Sequence, residues 1–138
     1  MEQAVEQGIF EGGCRCGAIR YQAIGMPEHH ALCHCVDCRR SSGAPLVGWA
    51  LFPEAAVTIS GAPVRFESSP GVERHFCGRC GTGLFYRNPA IFPDHVDIQS
   101  ATLDRPDDLP PQACIQMADA PGWLGAMAAL PHFDRYPG

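Results

Sequence analysis

The chain has 138 residues, 46% of them hydrophobic, and a formal net charge of −5. That length predicts a single domain over residues 1–138, and the hydrophobic share separates it from disordered chains. The acidic balance excludes the basic face that nucleic-acid binding needs, and all 10 basic residues are arginine, which removes lysine Schiff-base chemistry and a Walker-type phosphate loop.

Residues 1–11 are acidic and carry no apolar segment, so they do not read as a secretory signal. No window approaches the roughly 20 apolar residues of a membrane span. Both readings point to a cytoplasmic setting in which thiols stay reduced. Fifteen glycines and 13 prolines are spread throughout, leaving little room for long helices. Residues 18–23 alternate, with Ile19, Tyr21 and Ala23 on one face of a predicted strand. Residues 36–42 allow a short helix. An apolar run over 46–52 ends at Pro53 and predicts a strand, followed by a helical turn over 53–56. Further strands are predicted over 57–59, 64–66, 73–77, 83–87, 95–99 and 113–117, with turn residues between them. The expected class is mainly β, with little helix.

The eight cysteines carry the chemistry. An even number admits a disulfide framework, but in a reducing compartment clustered cysteines bind metal. In Cys77-Gly78-Arg79-Cys80-Gly81, two thiolates can turn around one ion, and Gly81 relieves the left-handed backbone such a knuckle needs. Cys14-Arg15-Cys16 supplies a second pair. In an extended segment its two thiols face the same way. Cys14, Cys16, Cys77 and Cys80 are thus predicted to form one closed structural zinc site joining distant parts of the chain. The alternative is that they pack as small buried hydrophobes.

The middle cluster, Cys33-His34-Cys35-Val36-Asp37-Cys38, places thiols at i, i+2 and i+5. Three protein ligands and one open position make a catalytic type of zinc site, for a water or a substrate thiolate. His34 points away from Cys33 and Cys35 if the stretch is extended. Arg39 and Arg40 can lower the thiol pKa values and attract an anionic substrate. Two alternatives stay open: a second structural site, or a metal-free thiol group with surface arginines. Cys114 reads as a buried strand cysteine or as a late fourth ligand of this cluster.

Three motifs occur in order: Gly-Gly-Cys-x-Cys-Gly-x-x-Arg-Tyr at 12–21, Cys-His-Cys-x-x-Cys-Arg-Arg at 33–40, and Cys-x-x-Cys-Gly-Thr-x-Leu-Phe-Tyr at 77–86. Together they resemble the glutathione-dependent formaldehyde-activating enzyme family, also called the centromere protein V family, over about residues 12–133. The resemblance implies an Mss4-like β fold, a structural zinc on Cys14, Cys16, Cys77 and Cys80, and a second zinc on Cys33, Cys35 and Cys38. It implies a carbon–sulfur lyase reaction linking S-hydroxymethylglutathione to formaldehyde and glutathione. The ending Leu130-Pro131-His132-Phe133 fits the family. Cys114 and Gln116 stand where typical members carry a histidine and an aromatic residue.

The resulting expectation is a lyase acting on a small thiol adduct, with Cys33, Cys35 and Cys38 at the reacting centre and Arg39 and Arg40 toward the substrate. The opposing class is a non-catalytic zinc-binding module for protein binding or chaperone-like action, since fold alone does not decide function. An enzyme calls for a concave pocket at the middle cluster. A binding module calls for closed thiols and an apolar patch elsewhere.

Overall fold

The computed structural model describes residues 8–138, so most of the stretch read as lacking a secretory signal lies outside the described residues. Among the described residues ten strands form two sheets. Strands β1 (Ile9–Gly13), β2 (Arg20–Ile24) and β5 (Val57–Ser60) make a small antiparallel sheet in the order β1-β2-β5. The larger sheet contains β3 (His29–Cys33), β4 (Val47–Pro53), β6 (Val64–Ser69), β7 (Val72–Phe76), β8 (Gly83–Arg87), β9 (His95–Gln99) and β10 (Ala113–Ile115). Its order is β10-β3-β4-β9-β8-β7-β6, antiparallel except where β10 runs parallel to β3. Among the described residues the α-helix is α1 (Val36–Ser42), and the remaining helical residues form short 3-10 turns. Among the described residues no helix is long and apolar enough to cross a membrane.

Alternation along the strands builds two layers. The predicted face of β2 is buried: Tyr21 and Ala23, with Ile19 just before them. These side chains meet Phe10 from β1 and, from the large sheet, Ala50, Phe52, Phe85, Val96 and Ile98. Phe10 and Phe52 stand 6.2 Å apart between ring centroids, and Tyr21 meets Phe85 edge-on at 5.6 Å. Each fully buried side chain of this size stabilises the fold by about 1.5–3 kcal/mol, so this interface is the main apolar contribution.

Residues directly opposite in an antiparallel pair point to the same side. Trp49 opposes Gln99, Leu51 opposes Asp97, Asp97 opposes Tyr86, and Tyr86 opposes Arg74. These residues therefore share the other face of the large sheet, away from the small one. That face receives α1, whose Cys38 packs with Trp49 and Val47. No residue after Leu109 is buried. Trp123, Leu130 and Phe133 in that stretch are large, apolar and exposed.

Candidate metal centres and the face between them

The two outer cysteine pairs occupy two hairpin turns, one from each sheet. The turn joining β1 to β2 is closed by the Cys14 N–H on the Ile19 carbonyl (3.0 Å) and the Gly17 N–H on the Cys14 carbonyl (3.1 Å). The turn joining β7 to β8 repeats it, with the Cys77 N–H on the Thr82 carbonyl (2.9 Å) and the Gly81 N–H on the Cys77 carbonyl (2.8 Å). Gly17 and Gly81 both have φ of +82°, where a side chain would be strained. Gly81 takes the role the sequence assigned it. Cys14-Arg15-Cys16 does not form the expected extended segment. A backbone turn, not strand alternation, points its thiols at one place, because Gly17 lets the chain reverse there.

The sulfurs of Cys14, Cys16, Cys77 and Cys80 all lie within 4.8 Å of one another. Cys14 Sγ is 3.6 Å from Cys16 Sγ, which is 3.8 Å from Cys77 Sγ. Backbone N–H groups aim at these sulfurs: Ile19 donates to Cys14 (3.2 Å), and Arg79 and Cys80 both donate to Cys77 (3.4 Å each). Such donors stabilise thiolate charge. The Thr82 hydroxyl 3.2 Å from Cys80 Sγ, then the Thr82 N–H, bring the Cys80 pKa down to about 5. The Ala18 N–H pulls Cys16 down, but burial and the adjacent thiols push it up to about 11. Four sulfurs sharing protons in this way form a donor set for a soft or borderline metal ion.

The second cluster gathers Cys33, at the end of β3, with Cys35, the N-cap of α1, and Cys38 in its first turn. Their sulfurs also lie within 4.8 Å of one another, and among the described residues no fourth histidine, cysteine or carboxylate joins them. The Cys38 N–H caps the helix by donating to Cys35 Sγ (3.2 Å). Burial pushes Cys33 up to about 12. Burial also works against ionising Cys35, but the Cys38 N–H and the two neighbouring thiols hold it below the ordinary thiol value. His34 is buried outside the cluster, its Nδ1 3.1 Å from the Ile115 carbonyl oxygen. Cys114 is not buried and does not join the triad's sulfurs, although its backbone pairs with Leu32 beside Cys33. It is exposed, because β10 is an edge strand that no other described segment covers. All eight cysteines are free thiols.

The guanidinium touching the triad belongs to Arg74, which the sequence reading passed over. Its Nη2 donates to Asp37 Oδ2 (2.6 Å) and lies 3.6 Å from Cys38 Sγ. Its carbon sits 5.0 Å from the centroid of Tyr86 and 5.9 Å from that of Trp49. Burial pushes the Cys38 thiol up, against the hydrogen bonds of Arg74 and Trp49. The available signal was an arginine on the same strand face as Phe76, at a position where β7 turns inward. Arg39 is half-buried and Arg40 exposed on α1, and neither makes an ion pair with another described residue. A cleft of about 380 Å³ is lined by Trp49 and Arg74, which also touch Cys38, together with Ser41, His75 and Gln99; none of the three triad cysteines lines it.

Fold and site together define a mainly β protein built around two thiol clusters, each able to hold a metal ion. The chain belongs to the glutathione-dependent formaldehyde-activating enzyme family, whose model matches residues 9–119. It is 28% identical over 127 residues to a putative glutathione-dependent formaldehyde-activating enzyme of Halomonas elongata, covering 84% of this chain and 80% of that protein. It is 32% identical over 77 residues to an uncharacterised lyase of Schizosaccharomyces pombe, covering 56% of each. A crystal structure of a Rhodobacter sphaeroides protein shares the fold, with a TM-score of 0.59 and 22% identity over 75% of this chain and 98% of that one.

Proposed function

We propose that the protein is a zinc-dependent carbon–sulfur lyase of the formaldehyde-activating type, acting on a small thiol adduct such as S-hydroxymethylglutathione. One structural zinc is assigned to Cys14, Cys16, Cys77 and Cys80, and a second zinc to Cys33, Cys35 and Cys38. The observation that carries the reading is the triad: three converging sulfurs without a fourth side-chain ligand among the described residues, with a buried arginine against Cys38. Sulfurs at about 2.3 Å around a tetrahedral zinc stand about 3.8 Å apart, and the 3.6 and 3.8 Å separations in the four-cysteine cluster suit that ion. Thiolate donors also favour zinc over magnesium or calcium.

When bound to three thiolates, zinc supplies an open position that favours the ionised form of an incoming thiol. In the adduct-forming direction the thiol sulfur bonds to formaldehyde carbon, the carbonyl π pair moves to oxygen, and the thiol proton ends there. The reverse breaks the carbon–sulfur bond. Arg74 keeps a positive charge beside Cys38, and Trp49 and Tyr86 fix its plane. Arg39 and Arg40 follow Cys38 directly and are available to a substrate carboxylate.

Exchange NMR on formaldehyde and glutathione tests the reading. Zinc-loaded protein should raise the exchange rate above the uncatalysed one, and Cys35→Ser should abolish the gain while the four-cysteine cluster keeps its metal. No gain with glutathione or any other small thiol overturns the lyase. It would favour the second reading, a zinc-held binding module, for which the exposed Trp123, Leu130 and Phe133 speak.

A further inference from the structure

We infer that Arg74 is the charge partner of a metal-loaded triad, and that it sets how tightly Cys33, Cys35 and Cys38 hold their ion. The inference rests on the metal reading of the triad and gives one residue of β7 a role in it. A divalent ion with three thiolates carries one net negative charge, and a buried charge is costly unless it is paired. Cys33 and Cys38 are only 5% and 6% exposed, so water does little to stabilise that charge.

The four-cysteine cluster meets the same problem differently. Two of its members, Cys16 and Cys80, are exposed, and its sulfurs accept from the Ile19, Arg79 and Cys80 N–H groups. At the triad the Cys38 N–H serves Cys35, and a cation serves Cys38. Arg74 Nη2 lies 3.6 Å from Cys38 Sγ, which the Trp49 side chain also hydrogen-bonds. Groups that hydrogen-bond a metal's ligands typically change its affinity about 10–100-fold when removed.

The arginine's own charge is only partly answered. Its side chain is 11% exposed, whereas that of its carboxylate partner Asp37 is 66% exposed. A carboxylate so far into water offsets a buried cation weakly. The Arg74 Nε–H has no hydrogen-bond partner among the described residues. The guanidinium is held against the rings of Tyr86 and Trp49, at 5.0 and 5.9 Å, and Tyr86 opposes Arg74 directly across β7 and β8, so strand register fixes the stack. A metal–thiolate complex supplies the missing negative charge on the Cys38 side. Asp37 works against that complex, because its carboxylate repels a Cys35 thiolate and draws Arg74 toward itself.

Chelator competition on the zinc-loaded protein reads the two ions separately, since Cys35→Ser retains the four-cysteine ion and so identifies it. Arg74→Gln should weaken the triad's zinc affinity by at least about tenfold and leave the other ion's unchanged. Arg74→Lys, which keeps the charge, should recover part of the loss. Asp37→Asn, at an exposed side chain, should tighten the triad's zinc on the order of threefold, since it removes a repelling charge and keeps an amide oxygen for Arg74. The opposite signs separate a charge partner from a brace, because a mere tie between α1 and β7 would be weakened by either substitution. Unchanged affinity in Arg74→Gln, or an Asp37→Asn protein that holds the triad's zinc no more tightly than wild type, overturns the inference while the metal reading stands. Should Arg74→Gln fail to fold, Asp37→Asn alone decides. A wild-type protein that loads zinc at the four-cysteine cluster alone overturns the metal reading of the triad and this inference with it.

Discussion

At the scale of single residues, the large sheet keeps one carboxyl under tension. Asp97 lies on the triad's face of β9, and burial pushes its pKa from 3.8 up to about 7. Its Oδ1 has no hydrogen-bond partner, and the charges near it are few. Tyr86 opposes it on β8 with Arg74 beyond, Leu51 opposes it on β4, and His95, two residues along, draws its pKa down slightly. Between pH 3.8 and about 7 the native state keeps a proton that the unfolded chain gives up. Its contribution to stability is therefore complete at low pH and is lost as pH rises through 7. Asp97→Asn removes the titration. It should stabilise the protein at pH 8 by on the order of 2–4 kcal/mol, with the two proteins converging near pH 4. Thermal melts from pH 4 to 8 check this, and because His30 and His75 are common to both proteins, their own loss of stability at low pH cancels. Melting curves that stay parallel at every pH would show that water reaches the carboxylate.

At the scale of elements, the two cysteine clusters differ in what they join. The outer pairs sit in hairpin turns of separate sheets, about 60 residues apart in sequence, and a metal there closes the chain on itself. The triad spans only the end of β3 and one turn of α1, so it closes almost nothing. Cys77→Ser should therefore unfold the protein or lower its melting temperature by more than about 10 °C. Cys35→Ser should leave circular dichroism unchanged and remove one metal ion from the protein. Equal collapse in both variants would make the triad a structural site.

This division was legible in the sequence because thiol spacing is a local signal. So was α1, found over Val36–Ser42 where the sequence allows a short helix, and so were the alternating strands on either side of the Cys77 turn. Two strands were not. β1 contains Glu11, Gly12 and Gly13, and β3 contains His29, His30 and Ala31, so neither shows a clean apolar alternation. β3 is buried because β4 and β10 flank it, which is a tertiary fact. Arg74 was hidden for the same reason. Its importance comes from Asp37 and Cys38, 37 and 36 positions away. Cys114 was misplaced because an apolar strand with a cysteine reads as core, whereas β10 sits on the edge.

For the whole molecule, burial is uneven along the chain. The two sheets and both cysteine clusters are complete by Leu109 apart from β10, which ties the triad loop down: Ile115 accepts from His34, and Asp119 Oδ2 accepts from the Val36 N–H at 3.3 Å. Beyond that contact the chain adds 3-10 turns whose apolar side chains, Trp123, Met127, Leu130 and Phe133, remain exposed. The family model also ends at residue 119. Side chains that bury nothing contribute little to folding, since hydrophobic stabilisation scales with area removed from water. A chain ending after Ala120 should therefore melt within about 3 °C of the full-length protein, keep both metal ions and keep its thiol exchange. It should also be more soluble, having lost its largest exposed apolar stretch. Differential scanning fluorimetry with metal analysis checks this. A large fall in melting temperature would mean that these side chains are covered in solution, and the stretch beyond residue 120 would then belong to the stable core.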